Sequence, residues 1–69
     1  MRPHRYRITV SGRLGETIRE AFGDFDIRPD GADTVLTASL DQAALHGALD
    51  RIRQLGLELV QVCRLPDEP

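Results

Sequence analysis

The chain has 69 residues, of which 41% are hydrophobic and 29% charged, a balance that fits one small folded domain and excludes intrinsic disorder. Nine basic residues stand against 11 acidic ones, a formal net charge of −2, so the basic excess of a non-specific nucleic-acid binder is missing. No run approaches the ~18 apolar residues of a membrane span, and one cysteine cannot form an internal disulfide.

Tyr6, Ile8 and Val10 alternate with Arg5, Arg7 and Thr9, the period of two that marks a strand with one buried and one polar face. Ser11-Gly12 then breaks the strand and opens a helix predicted over residues 13–22, where Leu14, Ile18, Ala21 and Phe22 form one stripe. Gly23 stands where a helix-ending glycine belongs. Phe25 and Ile27 alternate with Asp24, Asp26 and Arg28 as a second strand, and Pro29-Asp30-Gly31 reads as a turn. A third strand is predicted over 34–40, with Leu36, Ala38 and Leu40 on one side and Val35, Thr37 and Ser39 on the other.

The second helix, 42–55, has the strongest signals. Asp41 is a good N-cap, Leu40 can staple to Leu45, and Leu45, Ala48, Leu49, Ile52 and Leu55 make a continuous apolar stripe. Arg51 and Arg53 complement the helix dipole, and Gly56 ends the helix. The last strand is predicted over 57–64, and residues 65–69 are expected to fray.

The order is β-α-β, hairpin, β-α-β, two halves of the same pattern that together make an α+β domain. Over residues 5–64 it resembles the ferredoxin-like βαββαβ sandwich, a four-stranded antiparallel sheet with both helices on one face. With Gly56-Leu57-Glu58-Leu59-Val60 after the second helix, it looks like the small standalone ferredoxin-like proteins of GC-rich bacteria. It is also similar in layout to ACT regulatory domains. The use of arginine for every basic residue but histidine, with no lysine or asparagine, fits such a genome. The fold hosts many unrelated functions and selects none of them.

Ser11, Gly12, Arg13 and Gly15 are the candidate ligand-binding residues. Glycines let backbone N–H groups face outward, and Arg13 adds a charge suited to a small anion. The likeness to ACT domains implies a role for Gly12 in an effector site. The simpler reading is a turn that needs glycine for its geometry alone. Gly12-Arg13-Leu14-Gly15 also matches the GXXG loop of KH domains, but that loop joins two helices and this one is expected to join a strand to a helix.

Asp24, Asp26, Asp30 and Asp33 lack the glutamate register of a calcium loop. Two histidines and one cysteine have no zinc spacing, so no metal or other cofactor is expected. His46 and Asp50 are spaced for a surface pair on the second helix. Cys63 reads as a partly buried apolar residue with an unactivated thiol, and His4 carries no signal. Tyr6 shares parity with the core, leaving no aromatic platform on the open face of the sheet for RNA.

These readings lead to a non-enzymatic binding or interaction module, expected to be cytoplasmic and to form a homodimer or bind a protein partner, with neither nucleic acid nor membrane as a target. Its expected interaction residues are Arg5, Arg7, Val35 and Thr37 on the open face, with Val60 and Val62 on the last strand. Strict alternation gives that strand apolar residues on both faces, unless a bulge shifts its parity. The alternatives are an ACT-like domain for an anionic metabolite and a small dimeric ferredoxin-like enzyme, for which the open face offers Arg5, Arg7 and Glu58 or Gln61 but no histidine.

Overall fold

Alternating strands and one long amphipathic helix assemble as β1 (His4–Val10), α1 (Glu16–Ala21), β2 (Asp26–Asp30), β3 (Asp33–Leu40), α2 (Gln42–Gln54) and β4 (Leu59–Arg64) in the computed structural model, which describes residues 2–66. The four strands form one antiparallel sheet in the order β2-β3-β1-β4. The domain is thus α+β, with two helices packed on a four-stranded sheet.

Parity defines the core. Tyr6, Ile8 and Val10 of β1 stand opposite Ala38, Leu36 and Thr34 of β3, so these side chains share one face. Phe22 and Phe25 join that face, as do Leu45, Ala48 and Ile52 of α2, in one buried cluster. Phe22 and Ile8 are fully buried, and the Phe22 and Phe25 rings meet edge to face at 5.5 Å. Leu14, Ile18, Leu49 and Leu57 seal its margin.

Several boundaries differ from the sequence reading. The first helix begins at Glu16, not at residue 13, because Gly12 takes φ +84 and Gly15 remains extended as the N-cap. The Thr34 hydroxyl donates to the Gly12 carbonyl at 2.7 Å, which ties this loop to β3 rather than letting it wind into the helix. Phe22 caps the helix, and Phe25 lies in the turn that follows, with its N–H on the Phe22 carbonyl.

Pro29 and Asp30 belong to β2, and the hairpin turn is Gly31-Ala32 between the paired Asp30 and Asp33. Proline is tolerated there because β2 is an edge strand, where one side of the backbone has no ladder to feed. At α2, Asp41 accepts the Ala44 N–H at 2.8 Å, as a capping aspartate should. The helix ends at Gln54, with Leu55 as its C-cap and Gly56 at φ +73. The fourth strand begins at Leu59, two residues later than predicted. Of the expected fraying tail, residues 67–69 lie outside the described residues.

Candidate functional site: the open sheet face and the β4 edge

The face opposite the core carries the expected set. Arg5, Arg7 and Thr9 of β1 pair with Ser39, Thr37 and Val35 of β3, and Asp26 and Arg28 of β2 continue the same rows. Gln61 and Cys63 of β4 stand opposite Thr9 and Arg7. Thr9 is only 8% exposed. Around it lies a shallow hollow of ≈ 390 Å³ lined by Arg7, Thr9, Arg28, Pro29, Asp30, Val35 and Gln61. Arg28 pairs with Asp26 at 3.3 Å, whereas Arg7 has only neutral cross-strand neighbours in Thr37 and Cys63. The face therefore presents arginine, threonine, glutamine and aspartate around one valine, a polar surface with a basic centre.

The last strand departs from strict alternation. Its register against β1 shifts between Thr9 and Val10: Thr9 stands opposite Gln61 but Val10 opposite Leu59, leaving Val60 as the additional residue of a bulge. Leu59 and Val62 consequently share the core-side face with Val10 and Ile8, although they are three residues apart. This corrects the expectation that β4 carries regularly alternating apolar residues on both faces, and it removes Val62 from the row of Arg7 and Thr37. Bulges raise local twist and are common at sheet edges. The core-side position does not hide these residues, because Leu59 is 45%, Val60 54% and Val62 37% exposed.

The loop at residues 11–15 is held by backbone contacts. The Ser11 N–H donates to the Glu58 carbonyl at 2.9 Å, and no side chain caps α1, whose N-cap is Gly15. Of the predicted ligand-binding residues, Arg13 lines a hollow ≈ 170 Å³ in volume, together with Leu14, Arg19, Pro29 and Thr34. Ser11, Gly12 and Gly15 shape the loop without lining that space. Arg19 is the residue that sequence reasoning missed, because its partnership with Arg13 depends on where the helix starts. Arg28 and Asp30 were missed beside the open-face hollow because Pro29-Asp30 reads locally as a turn.

Other side chains take different partners from those expected. His46 contacts Gln42 at 3.2 Å and not Asp50, while Asp50 accepts from Arg53 at 2.6 Å and Gln54 at 2.8 Å. Arg51 donates to the Ala21 carbonyl at 2.6 Å and so joins the two helices rather than serving only the dipole of its own. Cys63 is half-buried, on the open face opposite Arg7. Among the described residues, no three of the histidine, cysteine, aspartate and glutamate side chains converge as a metal site would require. No helix among them is long and apolar enough to cross a membrane.

Neither the curated proteins nor the solved structures contain a match to this chain. A family model does match, described as a domain of unknown function, DUF8691, and it aligns with residues 5–63. That span runs from the second residue of β1 to the penultimate residue of β4 and so includes all six elements but for one residue at each end, and the chain belongs to the DUF8691 family.

Proposed function

We propose that this protein is a small non-enzymatic interaction module of ferredoxin-like topology that associates with a second copy of itself. The topological part is supported by the order β2-β3-β1-β4. Each helix connects two parallel strands that flank an antiparallel one, as two interleaved βαβ units require. A cytoplasmic, bacterial setting accords with the single cysteine and the exclusive use of arginine over lysine.

The observation that carries self-association is the exposure of Leu59, Val60 and Val62 on an edge strand, beside an open face that bears Arg5, Arg7, Val35 and Thr37. A domain this small supplies only ~3–5 kcal/mol from its own core, so covering apolar surface with a second copy is a direct source of stability. With polar residues beside that edge, the interface is expected to be wet and of micromolar affinity, roughly −8 kcal/mol.

Sedimentation velocity over a concentration series tests the reading. A dimer that dissociates on dilution is the expected result, and a monomer at ~100 μM would sink it. Val62→Asp is expected to weaken the dimer while leaving the fold intact, since Val62 lies outside the buried cluster.

A second reading is favoured by Arg13 and Arg19, which line one hollow without a carboxylate among its lining residues. Two guanidinium groups there suit a small anionic metabolite, in the manner of an ACT-like regulatory domain.

A further inference from the structure

We infer that two copies join edge to edge through β4, in the antiparallel register that sets Cys63 of one copy opposite Cys63 of the other. The inference rests on the self-association reading and specifies its geometry.

Three observations select the edge. The bulge at Val60 puts Leu59 and Val62 on the core side of the sheet, so stacking two open faces would leave these exposed apolar residues in water. Stacking would also desolvate Arg5, Arg7 and Arg28, which is costly for charges that do not all gain partners. Edge pairing instead lays the partner's strand along the exposed flank of Val62, beside the aliphatic stem of the partner's Arg64, and leaves Arg5, Arg7 and Arg28 hydrated.

The two edges of the sheet are unequal. β2 carries Pro29, which has no N–H, and the exposed charges Asp26, Arg28 and Asp30, devices that blunt an edge. β4 reads Leu-Val-Gln-Val-Cys-Arg and has one charge, at its end. The Arg64 guanidinium reaches the His4 Nδ1 of β1 at 3.0 Å, so it is drawn back across its own sheet. A β4-to-β2 contact would propagate into a filament, whereas β4 against β4 closes as a symmetric pair.

Backbone directions select the register. In an antiparallel ladder, residues whose peptide groups turn inward alternate with those that turn outward. The Leu65 N–H donates to the Arg5 carbonyl at 2.9 Å. Leu65, Cys63 and Gln61 therefore face β1, and the peptide groups of Val62 and Arg64 face away from the sheet. Only a two-fold axis at Cys63 sets Val62 of one copy against Arg64 of the other at both ends, satisfying both outward residues without involving the bulge. Cys63 then meets its counterpart as a non-hydrogen-bonded pair on the open face. Such pairs have Cα atoms ~4.5 Å apart, within the ~4.4–6.8 Å that a disulfide spans.

The test uses the full chain. Diamide, which takes up two electrons and two protons as two thiols become one disulfide, is expected to convert the dimer to a covalent species that Cys63→Ser abolishes. Val62→Pro removes an outward N–H and spares the ladder with β1, so it is expected to raise the dissociation constant more than about tenfold with an unchanged circular dichroism spectrum. Should that variant not fold, Val62→Lys provides the same reading by placing a charge on the edge. A dimer that resists both substitutions, or that forms no Cys63 disulfide, overturns the edge geometry while self-association stands. A chain that stays monomeric overturns both.

Discussion

The guanidinium of Arg51 lies 5.2 Å from the centre of the Phe22 ring and donates to the carbonyl of the neighbouring Ala21 at 2.6 Å. One side chain of α2 thus closes the exposed end of α1 and covers the aromatic residue that anchors it. The short helix has six residues and no side-chain cap, so it owes its place to such tertiary contacts rather than to intrinsic helicity.

Arg51→Ala is therefore expected to destabilise the protein by about 1–2 kcal/mol, combining a partly solvated cation–π contact with a hydrogen bond to a helix carbonyl. Arg51→Lys should recover less than half of the loss, since an ammonium cannot hold both partners with one planar fork. Urea unfolding followed by circular dichroism measures both. Equal stability of wild type and Arg51→Ala would show that the contact contributes nothing.

Phe22 is fully buried and packs edge to face on Phe25. Phe22→Ala should cost about 3–5 kcal/mol, comparable to the whole stability of a domain this small. The expected outcome is a chain without a cooperative thermal transition, while Phe22→Leu retains one at a lower midpoint. A folded Phe22→Ala with a near-native melting temperature would refute this account of the core.

The loop between β1 and α1 depends on two features that can be separated. Thr34→Val removes the hydroxyl that holds the Gly12 carbonyl and should cost about 1–2 kcal/mol, whereas Thr34→Ser should be close to neutral. Gly12→Ala meets no atom within 4 Å of its new Cβ, so its expected cost of about 1 kcal/mol is backbone strain at positive φ alone. Denaturant midpoints for the three variants distinguish these contributions.

If the hollow beside Arg13 and Arg19 takes anions, inorganic phosphate should shift the amide resonances of Gly12 to Glu16. Arg13→Ala and Arg19→Ala should each weaken binding by about threefold to tenfold, the ~1 kcal/mol of a solvated charge contact. An amide spectrum unmoved by millimolar phosphate leaves the loop with a structural role only.

What was legible in the sequence is what short-range periodicity and local chemistry determine. The alternation of Tyr6, Ile8 and Val10 with Arg5, Arg7 and Thr9 assigned both faces of β1. The parity of Leu36 and Leu40 did the same for β3, and Asp41 marked the start of α2 through its own side chain. Element order followed from these. The candidate residues Arg5, Arg7, Val35 and Thr37 fell on one face for the same reason, since a strand's side chains alternate whatever it is paired with.

Only the tertiary structure decided the features that depend on which chain segments meet. The bulge at Val60 is a mismatch between two strands 50 residues apart, and neither strand alone encodes it. It turned an apparent two-sided strand into one whose Leu59 and Val62 share a face. Pro29-Asp30 has turn chemistry, yet pairing with β3 draws it into a strand and moves the turn to Gly31-Ala32. The start of α1 moved from residue 13 to Glu16 because Thr34 holds Gly12 from another element, and with it Arg13 came to share a hollow with Arg19. Periodicity is a property of neighbours in sequence, whereas register is set by hydrogen bonds and burial across the sheet, so the first could be read residue by residue and the second only once the strands were paired.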